Sequence, residues 1–317
     1  AADLTQAQLK RLRARFNPRT ERFEPPSEPT LRRVLRTCDA PAVDAAPSDW
    51  LLGVTHTDDA VAVDGKALRG AIRPDGTQVH LLSAFLQEQG VTVAQREIPA
   101  KTNEIPEIKP LLDPLDLVGR GATADALHTQ RETARFLVED KQAHYLLTVN
   151  GNQPTLYADL SALTPAPAPL SAETLDKGHG RLEQRRLLAS TALNDYVDFP
   201  YVAQVCRVER EVTELKSGKQ RHETVFLVTS LPPEQADSHR LLQLNRGHWS
   251  IENRSHYVRD VTFGEDRSRI RVGHGPAIMA SLNNFAIALG RLSGFTNMAR
   301  ALRAFAQPRR ALAAIGF

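Results

Sequence analysis

Three acidic residues are distinguished by their surroundings: Asp64, Asp125 and Glu252. Asp64 closes the apolar run Ala60-Val61-Ala62-Val63, and Asp125 closes Gly121-Ala122-Thr123-Ala124. Both runs read as short strands, so each carboxylate is expected at a strand end, with a small residue (Gly65 or Ala126) leaving room beside it. Glu252 falls in a long helical pattern that opens at Ser238, among Trp249, Ile251 and Tyr257. Carboxylates that converge from separate elements suit in-line attack on a phosphodiester. There, two Mg²⁺ ions roughly 3.5–4 Å apart neutralise the attacking and leaving oxygens, and hard cations demand oxygen ligands. Alone, an aspartate closing a strand is more often a turn former or helix cap, and a lone helical glutamate more often solvated. The three carry weight together.

Other side chains could serve the same chemistry. His248, Glu252 and His256 are spaced i, i+4, i+8 and share one helix face. They do not form the His-Glu-x-x-His arrangement of zinc proteases, so His248, His256 and the following Arg259 are expected to meet DNA phosphates instead. Lys66 and Arg69 after the first acid, Asn253 beside Glu252, and Asn152-Gln153 after a strand end are further candidates for DNA contact. So are His179 and Arg181 in the flexible, cationic Gly178-His179-Gly180-Arg181. Each has a plainer reading as surface lysine, turn or loop.

The elements that must position these residues follow from periodicity. After Asp64, the turn signal Pro74-Asp75-Gly76 leads to a returning strand Val79–Phe85, and a third strand begins at Gly90. A helix with Ile105, Ile108, Leu111 and Leu112 on one side precedes the Asp125 strand. An amphipathic helix over Arg131–Asp140 and a strand over His144–Val149 follow. A three-strand meander followed by helix, strand, helix, strand is the order of a ribonuclease-H-like α/β fold.

Around it, residues 1–57 read as a small, poorly packed helical segment, a DNA-binding or accessory appendage that is truncated, broken by Pro25-Pro26 and Pro29. Residues 165–232 read as a β-rich insertion entered through an alanine-proline linker, with strands over Gln184–Ser190, Tyr201–Val212 and Glu223–Ser230. Residues 58–164 and 233–295 would then form the catalytic domain, with a helix over Pro276–Leu292 and a helical tail at 296–317. The opening Ala-Ala-Asp carries no initiator methionine, so a longer native chain is expected.

Composition narrows the classes. The 317 residues are 41% hydrophobic, enough for one large domain or two modest ones, which argues against disorder. Cys38 and Cys206 sit in no metal-ligand spacing and fit a reducing, cytoplasmic setting. No apolar run approaches the ~18 residues of a membrane helix. A net charge of +3 is weak evidence for nucleic acid, but arginines cluster at 10–15, 32–36, 181–186, 267–271 and 309–310.

Several blocks resemble the H-repeat-associated family of insertion-sequence DDE transposases. They are Val63-Asp64-Gly65-Lys66-Ala67-Leu68-Arg69-Gly70, Lys101-Thr102-Asn103-Glu104-Ile105-Pro106 and Ala124-Asp125-Ala126-Leu127-His128-Thr129-Gln130. Asn150-Gly151-Asn152-Gln153-Pro154, Gly178-His179-Gly180-Arg181, His248–Asn253 and Asp260–Asp266 continue the series, and Pro26–Arg33 matches at the N-terminal side.

The resemblance implies Asp64, Asp125 and Glu252 as the catalytic and metal-holding acids, and Mg²⁺ (two ions, Mn²⁺ substituting) as cofactor. It also implies DNA ends and target DNA as partners, a homodimer on paired ends, and a bacterial, nucleoid-associated location. Better-known enzymes of the wider group carry tyrosine, arginine and lysine around the glutamate; here Asn245, His248 and Arg259 stand at those places. Two alternatives share the same acids: a DNA-binding relative that no longer transposes, and a metal-dependent nuclease on this fold. Joining of cut ends to target DNA separates them.

Overall fold

The computed structural model describes residues 4–56, 58–161, 171–178 and 180–316. The chain opens with α1 (Gln6–Arg11), a small hairpin of β1 (Arg15–Asn17) and β2 (Arg22–Glu24), α2 (Glu28–Thr37) and α3 (Ala40–Val54). The meander is β3 (Val61–Ile72), β4 (Gln78–Leu86) and β5 (Val91–Ile98). It is followed by α4 (Ile108–Leu112), β6 (Gly121–Ala124), α5 (Arg131–Arg135), β7 (His144–Val149) and α6 (Pro154–Ser161). The insertion supplies β8 (Ser171–Gly178), β9 (Arg181–Ser190), β10 (Gln204–Glu214) and β11 (Gln220–Thr229). α7 (Ser238–His248), α8 (Gly275–Leu292), α9 (Met298–Phe305) and α10 (Pro308–Ala314) complete the chain.

Among the described residues one nine-stranded sheet runs β5-β4-β3-β6-β7-β11-β10-β9-β8. Its first five strands pair antiparallel, antiparallel, parallel and parallel, the mixed ribonuclease-H-like order expected from the sequence. The insertion does not form a layer of its own. β11 pairs antiparallel with β7, so its four strands extend the central sheet edgewise. β8 was not expected; the alanine-proline linker proposed for 165–170 lies outside the described residues.

The residues of β3 explain why it is central. Val61, Ala62 and Val63 are all buried, as in a strand covered on both faces. Val61 and Val63 join the main core with Leu82, Ala122, Ala124 and Leu147. Ala62 faces the opposite way, against Phe85 and Ile251. Alternation along the strand then puts Asp64 and Lys66 on the Ile251 side.

Two sequence expectations are corrected. β3 does not stop at Asp64: its antiparallel ladder with β4 continues through Ala67, and only the parallel ladder with β6 ends, at Val63 opposite Ala124. The N-terminal segment is not wholly an appendage. Leu51 of α3 is buried in the main core, and Asp44 accepts hydrogen bonds from Gln95 N (2.8 Å) and Ser281 Oγ (2.6 Å). α2 has no buried residue and does match the expectation of loose packing. Among the described residues no helix is long and apolar enough to cross a membrane.

Candidate active site

Asp64 and Asp125 stand side by side because the parallel ladder stops one residue before each. Beyond that point the strands no longer fill each other's edges, and the carboxylates open toward the face covered by the helix that follows α7. Asp125 begins a 3₁₀ turn over Ala126–His128, and its Oδ1 accepts the Leu127 N–H at 3.0 Å. Asn152 Nδ2 donates to Ala126 O (2.5 Å) and Gln153 Nε2 to Thr129 O (2.8 Å). These two amides, expected to touch DNA, hold the loop that carries the second acid.

The α7 helix continues as two π-wound turns, Glu252–His256 and Val258–Thr262. Tyr257 N–H reaches back to Glu252 O and Phe263 N–H to Val258 O (3.2 Å), a five-residue step that widens the helix. Such turns recur at functional sites because they re-aim side chains without ending the helix. Ile251 anchors this segment on Ala62, which sets the next turn above Asp64.

The ligand atoms of Asp64, Glu252 and His256 all lie within 4.8 Å of one another. His256 is 2% exposed; its Nδ1 donates to Glu252 Oε2 at 3.0 Å and lies 3.5 Å from Asp64 Oδ2. That hydrogen bond, opposed by partial burial and reinforced by Lys66, holds the Glu252 carboxyl below its ordinary value. Asp64 goes the other way. Burial pushes it up to about 6, with the charges of Asp125 and Glu104 adding, while His256 opposes.

Glu104 is the residue that sequence reasoning missed. Its carboxylate lies directly over Gly65, where a Cβ would meet Oε1 at 2.1 Å. His128 Nε2 donates to Oε2 (3.0 Å) and His80 Nε2 to Oε1 (3.1 Å). Burial would raise this carboxyl, but the two histidines overcome it and hold it at about 2. The signal was present in two separate blocks: a glycine directly after the first acid, which permits close approach, and a glutamate in Lys101–Pro106 with no assigned role.

Several expected DNA contacts are placed elsewhere. Arg259 is fully buried, with Nε 2.9 Å from Glu265 Oε2 and Nη1 turned to Gln95 and Asn284, so it cannot meet a phosphate in this structure. His248 is buried, its Nδ1 3.1 Å from Thr123 Oγ1, and burial pushes its pKa down to about 4, leaving it a neutral part of a Gln87–Thr123–His248 network. His256 faces the acids. Lys66 is also buried, its Nζ 2.6 Å from Asp260 Oδ2.

Arg69 remains well exposed, 3.8 Å from Asp266. Asn253 is exposed, with its Nδ2 donating to Trp249 O (3.2 Å). Trp249 and Tyr257, 62% and 59% exposed, present aromatic surface on the same helix as Glu252. Arg181 is exposed on β9, five strands from β3 and therefore roughly 24 Å across the sheet. His179 lies outside the described residues.

Residues 55–289 match the family described as "Transposase DDE domain". The chain belongs to that family, whose members are enzymes that cut and transfer DNA. "Putative transposase YncI" of Escherichia coli O157:H7 is 31% identical over 84% of this chain and 71% of its own length. "H repeat-associated putative transposase YhhI" of Escherichia coli K12 is 25% identical over 83% and 72% respectively. Among solved structures, a chain of the piggyBac transposase synaptic complex with hairpin DNA is similar over 87% of this chain and 57% of that one, at 13% identity and a TM-score of 0.44.

Proposed function

We propose that this chain cleaves DNA at the ends of a mobile element and joins the freed 3′ ends to target DNA, with Asp64, Asp125 and Glu252 as its acids. The observation that carries the proposal is the meeting of Asp64, Glu252 and His256 within 4.8 Å, beside Asp125, in a chain of the transposase DDE family. Asp64 fits a cation site on its own evidence: a desolvated carboxylate with like charges beside it lacks a positive partner strong enough to keep it at its ordinary pKa.

Asp64, Asp125 and Glu252 would hold two divalent cations, Mg²⁺ by the preference for oxygen and Mn²⁺ in its place. The ions supply charge neutralisation on the attacking and leaving oxygens. The protein's own part is positional. His256 orients the Glu252 carboxylate through its Nδ1–H, as residues behind metal ligands commonly do. Lys66, paired with Asp260, fixes the strand beneath the site.

In the first step a water oxygen bonds to phosphorus as the P–O3′ bond breaks, leaving a 3′-hydroxyl and a 5′-phosphate. In the second, that 3′-oxygen bonds to a target phosphorus and the target's own 3′-oxygen leaves. Arg69, Asn253, Trp249 and Tyr257 flank the opening and would meet DNA there. A homodimer would hold two ends for joining.

The test is Mg²⁺-dependent cleavage and joining of a labelled duplex carrying the flanking terminal repeats. Wild type is compared with Asp125→Ala and Glu252→Ala, and DNA binding is measured in parallel. Activity in wild type, lost in both variants while binding persists, is the expected result. Cleavage without joining would make the protein a nuclease, and binding without cleavage by wild type would retire the mechanism.

A further inference from the structure

Arginine runs occur in several parts of the chain, and tertiary structure separates them. In the insertion most of them, Arg181 excepted, are neutralised. Arg185 pairs with Glu183 and Asp176, Arg186 with Glu173, Arg207 with Glu209, Arg210 with Glu183 and Glu223, and Arg221 with Glu214. Around α2 the opposite holds. Arg33 and Arg36 of α2 and Arg269 and Arg271 of the segment before α8 are exposed, and none pairs with a carboxylate among the described residues. Glu28 is the acid lining this region, and Arg32 already occupies it.

These four arginines belong to one surface. Gly273, with φ of +59°, lies so close to α2 that a Cβ there would meet Arg36 O at 2.5 Å, and His274 N–H points to the same carbonyl at 3.4 Å. The contact ties the two segments along two adjoining hollows that form one groove: Arg33 and Arg36 line the first with Gly273, and Arg36 lines the second opposite Arg269 and Arg271. The groove also connects to the acids. Ser268 O and Asp266 O lie where a Cβ on Gly70 would stand, so the segment leaves β3 six residues beyond Asp64.

We infer that the groove between α2 and residues 269–273 grips the phosphate backbone of duplex DNA away from the cleaved bond. The inference rests on the transposase reading for the identity of the DNA and on the unpaired arginines for the contact itself. A row of unpaired guanidinium groups on two walls suits phosphates, and such contacts hold register without reading sequence.

The test is binding of the full 317-residue chain to a fluorescein-labelled duplex of arbitrary sequence, in EDTA, by anisotropy over a salt series. Each phosphate contact contributes about 0.9 to the slope of log K against log salt. The pair Arg33→Ala, Arg269→Ala is expected to lower the slope by about 2, and the addition of Arg36→Ala and Arg271→Ala to lower it by 3–4 in all. The pair Arg210→Ala, Arg221→Ala removes the same charge from the insertion and is expected to leave the slope unchanged.

Lysine at all four groove positions is expected to keep the slope and guards against a folding artefact. An unchanged slope in both alanine variants, or an equal fall in the insertion pair, overturns the inference. Cleavage by wild type in Mg²⁺ is scored separately. Cleavage with an unchanged slope sinks the groove and spares the transposase reading; a lowered slope without cleavage does the reverse.

Discussion

Two carboxylates a residue's width apart meet opposite fates. Asp64, on β3, is desolvated with Asp125 and Glu104 nearby, and its pKa is driven up to about 6. Glu104, packed over Gly65, is also partly buried, yet His80 and His128 hold it at about 2. Burial acts on both in the same direction; the partners decide the outcome. Glu104 has its donors within the protein and is a structural brace between β4 and the loop carrying Asp125. Asp64 lacks an equivalent partner, a role that a bound divalent cation would fill under the proposed function.

The comparison breaks most readily at the level of activity. Asp64→Asn is expected to reduce Mg²⁺-dependent strand cleavage by ~10³-fold or more, the loss of several kcal/mol of transition-state stabilisation. Glu104→Gln, which keeps shape and can still accept hydrogen bonds, is expected to retain activity within about tenfold, since its role is positional. A Glu104→Gln enzyme as inactive as Asp64→Asn in single-turnover cleavage would move Glu104 among the acids that bind the ions.

Stability offers a sharper and smaller test. Glu104→Ala leaves the buried His128 imidazole without an acceptor and removes that of the part-exposed His80, and should cost about 1–3 kcal/mol in urea denaturation. Gly65→Ala should cost about 1–3 kcal/mol, because its Cβ collides with the braced carboxylate. Once Glu104 is alanine the collision is gone, so the double variant should be less destabilised than the sum of the two. Strict additivity would mean that Glu104 does not press on Gly65.

The signs of the two pKa shifts predict opposite pH dependences without metal. Glu104 is depressed, so its contribution is present above about pH 4.5 and fades as pH falls toward 2. The stability gap between wild type and Glu104→Gln should close over that interval. Asp64 is raised, so its ionisation opposes folding: wild type loses stability as pH rises from about 4 to 6. Asp64→Asn should therefore be the more stable protein at pH 8 in EDTA, by about 3 kcal/mol, and the advantage should vanish near pH 4. Millimolar Mg²⁺ is expected to stabilise wild type and not this variant, read as a melting-temperature shift.

Much of the architecture was legible from local pattern. The meander, the β6 and β7 strands and the helix through Glu252 follow from apolar alternation and helical spacing, because a buried strand or helix face imposes its period on the residues. The end of β3 was misplaced because a change of partner, from β6 to open edge, leaves no mark in strand propensity. The π-wound turns over Glu252–Thr262 were likewise invisible, since π winding has no residue-type signature of its own.

The charged side chains were the least legible. Arg259 and Lys66 read as solvent-facing cations, yet each is buried against a carboxylate several or many residues away, Glu265 and Asp260. Arginine runs in the insertion and around α2 look alike on paper, and only strand pairing shows which are neutralised.

By itself, then, the sequence determined the meander, β6, β7 and the helix through Glu252, and nominated Asp64, Asp125 and Glu252, because types and periods are local properties of the chain. Tertiary structure decided that His256 joins the acids, that Glu104 braces Gly65, and which cations remain free. Those outcomes depend on charges brought together from distant parts of the chain, and an electrostatic partner has no fixed spacing in sequence.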